Sequence, residues 1–425
     1  MYDLCIIGAG MIGSAAARHA TVTSGLNTCL IGPTEPKNRG YDKTSGIYGS
    51  YFDEGRITRC MDKDAVWSTL ARESIQRYRD LEQQSGIKFY QEVGNLMIGG
   101  RSYLNKTDEV ASRNAIPTQK LDIKLLKQRF PYLRLTEDTN GRMETKKAGY
   151  VNPRRMVKAQ KTMAAKQGCT IIDDVVNHVT RIVQSDGSYV MLIKTEKGLS
   201  IWSKKVLLAT GAFTTFRDVL PDVRPEQIIS PLLVSLLEVE EANLKMFTKM
   251  PCIIYYGRAN EVWQVPASHK TKDEISFYMM PPIKYPNGKY YIKLGLRDAA
   301  SSESIKTPVD VTKWFKEGNK VTAKHVTNFA KSLFDGVDFK SWQTDSCVIT
   351  ETPTTHPYID MIHAQLGVAI GGNGFAAKSS DEIGRLGVSM MTSQWDSTIP
   401  RDILKFKLLP TYPSEYKVTT LKGKL

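Results

Sequence analysis

Apolar and polar positions fall into distinct periodicities along the chain. Near the N-terminus, Asp3-Leu-Cys-Ile-Ile7 is a short apolar run that reads as a buried strand. Gly8-Ala-Gly10-Met11-Ile12-Gly13 then opens an Ala-rich helix through about Ala20, and Asn27 to Ile31 reads as a second strand, the start of a βαβ unit. From residue 62 to 85, Ala65, Val66, Leu70, Ile75, Tyr78 and Leu81 recur at helical spacing, with Gly86 placed as a cap, which predicts one long helix. Pro153 and Gly168 frame another amphipathic helix, and the strand-like Thr170-Ile-Ile172 after it returns the chain to a parallel sheet.

The stretch from about 188 to 211 alternates apolar and polar residues and ends in Val206-Leu-Leu-Ala-Thr-Gly211, a buried strand entering a small-residue turn. Strands at regular spacing follow from 225 to 300, with turn signals at Pro266 and Pro286-Asn287-Gly288, so this block reads as antiparallel β. Residues from 393 onward, rich in Pro, Lys and Thr, read as a tail.

Composition narrows the function. A chain of 425 residues with 41% apolar and 24% charged residues is a globular protein large enough for two joined domains. The net charge of +14 is scattered without basic runs or interleaved aromatics, which argues against nucleic acid and for an anionic small-molecule ligand. Cys5, Cys29, Cys60, Cys169, Cys252 and Cys347 are far apart, so neither a disulfide framework nor a metal site is expected. The first apolar run starts too early for a secretory leader, and no membrane span is expected, which makes the cytoplasm the expected location. Gly423-Lys424-Leu425, a near match to a peroxisomal address, keeps that organelle as the alternative.

Gly8, Gly10 and Gly13 carry the G-x-G-x-x-G spacing between a predicted strand and helix, the context of a dinucleotide-binding loop. The first glycine permits the tight turn, the second lets the backbone approach a pyrophosphate, and the third lets helix and strand pack closely. An acidic residue for the ribose is missing after the second strand, where Gly32 stands; Glu35, three residues on, is the candidate, with a solvated loop glutamate the competing reading.

Several blocks recur in order: the glycine fingerprint, Gly55-Arg56-Ile-Thr-Arg59 before a long helix, Lys204 to Ala212, Tyr291-Ile-Lys293-Leu-Gly295, Ser346-Cys347-Val-Ile-Thr350, and Gly371-Gly-Asn373-Gly374 through Lys378. Together they resemble the D-amino-acid-oxidase-like superfamily of flavoproteins, and within it the monomeric sarcosine oxidase group. The resemblance implies an α/β (α+β overall) fold, with a Rossmann-type FAD domain from residues 1–88, 148–224 and 346–392. It implies a mostly antiparallel substrate domain from 89–147 and 225–345, a tail from 393–425, and a monomer.

The resemblance also assigns residues. Cys347 falls where that group links FAD covalently through sulfur, a tether that would raise the flavin potential. Gly371, Asn373, Gly374 and Phe375 match a flavin-contacting turn that begins a helix, and Gly211 matches another cofactor-side turn. Lys378 and Arg59 match two cations that hold the substrate carboxylate, Lys293 the lysine beside the flavin that promotes oxygen reduction, Arg56 a flavin-side arginine, and Tyr278 a tyrosine of the substrate pocket. Arg297, Ile349 and Phe52 replace a histidine, a tyrosine and a histidine of the group, so the amine differs from sarcosine, and the added arginine points to a larger or more anionic side group.

The expected activity is oxidation of the C–N bond of a carboxylated, secondary or N-methylated amine or amino acid to an imine, with O2 reduced to H2O2. Two readings compete: a dehydrogenase that passes electrons to a quinone or carrier protein, against which Lys293 argues, and a non-catalytic flavin-binding protein.

Overall fold

The computed structural model describes residues 1–35, 49–216, 219, 224–266, 274–297, 299–300 and 303–409. The strand Tyr2–Ile7 buries Leu4, Cys5, Ile6 and Ile7, as a central strand of a parallel sheet covered on both faces must. Parallel neighbours flank it, Thr28–Ile31 on one side and Ser200–Leu208 on the other. Thr170–Ile172 extends the sheet beyond Thr28–Ile31, again parallel, as the helix-then-strand order implies. On the far side, the first half of Ser200–Leu208 pairs with Tyr189–Thr195, and its second half pairs in parallel with Leu366–Ile370.

Five parallel strands therefore end on one edge of this sheet, and four of them end at or close to a glycine. Gly8 follows Ile7, Gly32 follows Ile31, Gly371 follows Ile370, and Gly211 comes shortly after Leu208. The carboxyl edge of such a sheet is where ligands bind in open α/β folds.

The helix Met11–Ser24 starts at Gly10, without a side-chain cap, and packs along Ala376–Met391, the helix after Leu366–Ile370. Pro153–Lys166 begins at Asn152, whose side chain accepts from Arg155 N, with proline at the first position where its missing N–H costs nothing.

A second sheet has eight strands among the described residues, in the order Trp342–Glu351, Ile228–Val239, Tyr290–Leu296, Ile275–Lys284, Cys252–Gly257, Asn95–Gly99, Asn140–Glu144, Gln119–Leu121. Its pairs are antiparallel except Cys252–Gly257 with Asn95–Gly99. Pro308–Glu317 and Lys320–Ser332 cover one face and complete a core around Leu237, Ile292, Leu294 and Phe329. Trp342–Glu351 spans the expected domain boundary at 346 and pairs along its length with Ile228–Val239, so it carries Cys347 from the second sheet. A small sheet of Arg56–Thr58, Gly149–Val151 and Tyr90–Gln91 lies between these units in the chain.

Some local expectations differ from the structure. The helix predicted over 62 to 85 starts at Ala65, after Asp64 caps Trp67 N, and breaks at Arg77 into Ala65–Gln76 and Tyr78–Ser85. At the break, Arg77 keeps right-handed backbone angles and pairs with Asp381 and Glu382. The alternating stretch from 188 is a hairpin, Tyr189–Thr195 and Ser200–Leu208, closed at Gly198, and its outer partner Val176–Val183 was not anticipated. Beyond 393 the chain does not simply trail away, because Ile399 and Leu404 are buried against the core of the first sheet. Residues 410–425, with Gly423-Lys424-Leu425, lie outside the described residues. No described helix is long and apolar enough to cross a membrane, and none of the six cysteines is in a disulfide.

Candidate active site

At the glycine loop the three fingerprint positions do three different things. Gly8 has φ +106°, and a Cβ there would run into the Ala209 carbonyl. A Cβ at Gly13 would collide with the carbonyl of Gly8, so only glycine lets the helix sit this close to the strand. Gly10 is open, with the Tyr51 ring 3.8 Å from where a Cβ would stand. The missing acidic residue has a steric reason: a Cβ at Gly32 would lie 2.5 Å from Ala9 N, so the second strand passes too near the glycine loop for a side chain. Glu35 is turned away to an ion pair with Arg154 and is not part of the cavity lining.

A cavity of about 730 Å³ runs from this loop into the space between the two large sheets. Gly8, Gly10, Met11 and Ile12 line it. Gly211, Cys347, the turn Gly371, Asn373, Gly374, Phe375, and Arg56, Arg59, Tyr278 and Lys378 also line it. Gly13, Glu35 and Lys293 do not line it. Its size is that of a site for a cofactor or drug-sized ligand. An uncapped helix N-terminus, an open approach at Gly10 and glycines at four strand ends fit a dinucleotide whose pyrophosphate needs backbone amides.

The Gly371 turn is braced against the strand that carries Cys347. Asn373, with φ +48°, donates its backbone N–H to Thr350 O at 2.7 Å, and its side-chain oxygen accepts from Thr352 N at 2.9 Å. Cys347 is buried in that strand; burial raises its thiol pKa, against the pull of Arg56 and Lys293 toward the thiolate. Ile349 also lines the cavity, whereas Phe52 does not and instead stacks under Arg154. Arg297 lines the cavity with its guanidinium 3.4 Å from Glu351.

Two acidic residues that sequence reasoning missed organise the cations. Asp62 is 2% exposed, and its Oδ2 lies 2.7 Å from both Arg59 Nη1 and Lys378 Nζ. Arg59 and Lys378 do come together, but on a carboxylate that the chain itself supplies. Burial works to raise the Asp62 pKa, and Lys378 and Arg59 outweigh it and hold the carboxyl below its ordinary range. Burial also pulls Lys378 down to about 8, against the attraction of Asp62.

The second acid is Asp53, which pairs with both Lys293 and Arg56. Lys293 is fully buried, donates to Gly55 O at 3.0 Å, and lies behind Arg56 and not on the cavity surface. Burial and the repulsion of Arg56 pull its pKa well below the usual lysine value, while the Asp53 contact favours the charged form. The signal available in the sequence was spacing: Asp53 stands three residues before Arg56, and Asp62 three residues after Arg59.

The loop bearing Arg59 and Asp62 is held by Glu144 of the second sheet, which accepts from the backbone N–H of Cys60 at 3.0 Å and of Met61 at 2.9 Å. Burial raises Glu144 to about 7 despite these two bonds. Beside Asp62, Tyr103 and Tyr256 stack at 5.0 Å on the cavity wall, with Lys63 5.5 Å from the Tyr256 ring centre; no local pattern marked them.

The packing at position 13 sets a first test. Gly13→Ala is expected to abolish retention of a dinucleotide, because the methyl group must push the helix off the strand that ends in Gly8. Cofactor content per chain after purification measures this; full occupancy in a folded variant would mean that the loop tolerates the shift.

A sequence profile described as FAD dependent oxidoreductase matches residues 3–390 of this chain. Over 174 residues the chain is 29% identical to the monomeric sarcosine oxidase of Streptomyces avermitilis, an alignment that covers 40% of this chain and 42% of that one. The match thus spans less than half the length of that relative. It is 25% identical over 264 residues to the N-methyl-L-tryptophan oxidase of Yersinia pestis, covering 60% of this chain and 67% of the other. Among solved structures, NikD, described as an unusual amino acid oxidase essential for nikkomycin biosynthesis, superposes with a TM-score of 0.68 over 96% of this chain and 98% of its own, at 16% identity. At that identity the likeness speaks for the fold.

Proposed function

The chain belongs to the FAD-dependent oxidoreductase family, and on that premise we propose that it oxidises the C–N bond of a carboxylated secondary or N-methylated amine to an imine, with O2 as acceptor and H2O2 as product. The observation that carries this reading is the convergence of two buried cations, Arg59 and Lys378, on the same cavity that begins at the glycine loop. FAD, when bound, supplies the hydride acceptor. Gly8, Gly10, Met11 and Ile12 would hold its pyrophosphate end, and Gly211 with the turn Gly371 to Phe375 its ring end.

The chain's own groups position the substrate. Arg59 and Lys378 attract the carboxylate and so fix the carbon beside the nitrogen, while Tyr278 and the Tyr103–Tyr256 wall restrict where the rest of the amine lies. Asp62, the carboxylate beside Arg59 and Lys378, is held anionic by these two cations and is a poor base. That arrangement suits an amine that enters neutral and loses hydride directly. Water then hydrolyses the imine to a carbonyl compound and the shorter amine.

The test is anaerobic bleaching of the visible flavin band by a panel of N-methylated amino acids and by the matching amines without a carboxylate. Bleaching confined to the carboxylated set is expected. Equal bleaching by both sets would remove the role given to Arg59 and Lys378.

A covalent bond from Cys347 to the flavin belongs to the same reading, supported by its place on the cavity wall, within reach of the Arg56 charge and in the strand that braces the Gly371 turn. Acid precipitation should leave the yellow colour in the pellet of the wild-type protein and release it from Cys347→Ser; colour in the wild-type supernatant would mean the flavin is held without a bond. A monomer in the cytoplasm completes the proposal; the six cysteines are free, which is compatible with a reducing compartment.

One observation favours a second reading. Asp53 compensates the charge of Lys293, which weakens any pull on developing superoxide and leaves room for a dehydrogenase that uses a quinone or carrier protein. Slow reoxidation of the reduced protein in air, quickened by an artificial quinone, would favour it.

A further inference from the structure

Asp62 raises a question that the carboxylate reading leaves open, and the following rests on that reading. Its side chain lines the cavity together with Arg59 and Lys378, and a single oxygen, Oδ2, takes both cations at 2.7 Å. The other oxygen accepts from Asp64 N at 3.2 Å. An incoming carboxylate therefore meets one negative charge already seated between the two positive ones, and the cluster offers one net positive charge. Like-charge contact at that distance in a buried site is strongly unfavourable.

We infer that Asp62 is an internal competitor for the substrate carboxylate, which lowers the site's affinity for small anions and reserves it for amines that bring further contacts. Its backbone is not free to retreat. Glu144 grips the N–H groups of Cys60 and Met61 on one side, and Asp64 caps the following helix through Trp67 N at 3.0 Å on the other. Only rotation of the Asp62 side chain, or sharing of the cations between two carboxylates, makes room. Arg59 retains one group for such sharing: its buried Nε has no hydrogen-bond partner among the described residues.

The competitor costs every carboxylate about the same affinity, so its effect is a threshold that weak binders fail to pass. A bare anion gains only the displaced charge contact, whereas an amine with a larger body also gains contact with the rest of the cavity.

The experiment is calorimetric titration of the FAD-loaded protein with acetate, at mildly acid pH so that Lys378 stays charged after its anionic partner is removed. Asp62→Asn is expected to tighten acetate binding by at least about tenfold over wild type. Equal or weaker binding by Asp62→Asn would overturn the inference and show that Asp62 only arranges the cations. A pair of variants covers the case in which Asp62→Asn does not fold, because Asp62→Asn added to Lys378→Met removes one charge of each sign. Lys378→Met alone leaves Arg59 neutralised by Asp62 and should bind acetate poorly, and the double variant should recover binding. No recovery in the double variant also overturns the inference. If instead no form binds acetate or any carboxylated amine, while amines without a carboxylate bleach the flavin, the carboxylate reading itself has failed.

Discussion

Lys378→Met is expected to lower kcat/KM for a carboxylated amine by about 10²- to 10³-fold while the protein keeps its FAD. The size follows from charge arithmetic at a buried site. Lys378 is 3% exposed and Arg59 4%, so neither is screened by water, and both pair with Asp62. Without the ammonium, Arg59 and Asp62 cancel, and the carboxylate loses both a direct partner and the net attraction of the cluster. Because the lost contact fixes the reacting carbon, kcat should fall as well as KM rise.

The same residue sets a pH dependence. Burial brings the Lys378 pKa down to about 8, so its charge is present below that pH and is lost as pH rises through it. The wild-type Kd for a carboxylate inhibitor should rise above about pH 8, by up to tenfold per pH unit. In Lys378→Met the inflection should vanish. An inflection that survives the substitution would have to belong to another group, and an unchanged kcat/KM would remove Lys378 from the site.

What the sequence made legible was mostly local. The roles of Gly8, Gly10 and Gly13 follow from their spacing, because a tight turn, an open approach and a helix-strand contact all arise within one strand-turn-helix unit. Cys347, Arg59 and Lys378 were reached through resemblance, and the cavity does bring them to its wall. The lysine partners of the two aspartates were not legible, since they lie 316 positions apart for Lys378 with Asp62 and 240 for Lys293 with Asp53. Strand alternation correctly turned Lys293 away from Ile292 and Leu294, yet it could not say that an aspartate lay waiting on that face. Gly32 misled for a related reason: an acidic residue was expected from the usual pattern, while the close passage of Ala9 that forbids one is a tertiary fact.

The two aspartates also bear on how firmly the site is built. Each joins a lysine and an arginine from different parts of the chain, and each is buried, so breaking either pair would strand an uncompensated charge. Such clusters add little net stability over an apolar core, but they fix the positions of their members. Positioned cations on a cavity wall are what a hydride transfer without a strong base requires.

The largest stability effect is expected at a third buried aspartate, which touches no ligand. Asp381 lies in Ala376–Met391, one turn after Lys378, and is 1% exposed. It accepts from Arg18 at 2.7 Å, Gln160 at 2.8 Å and Arg77 at 2.5 Å, and His19 Nε2 lies 3.4 Å away. These partners come from Met11–Ser24, Pro153–Lys166 and the break after Ala65–Gln76, so one carboxylate ties together the helices that frame the glycine loop. Burial tends to raise its pKa, and His19, Arg18 and Arg77 overcome that and hold it well below the ordinary value. Asp381→Asn leaves Arg18 without its anion and Arg77 with Glu382 alone, and should cost about 3–5 kcal/mol of unfolding free energy. Sign follows from the depressed pKa: the stabilisation is fully present above the unfolded carboxyl value and is lost as pH falls toward the folded one. Chemical denaturation at neutral and at acid pH should therefore show the gap between wild type and variant shrinking on the acid side. A loss below about 1 kcal/mol, or a gap independent of pH, would mean that hydrogen bonding and not charge carries this junction.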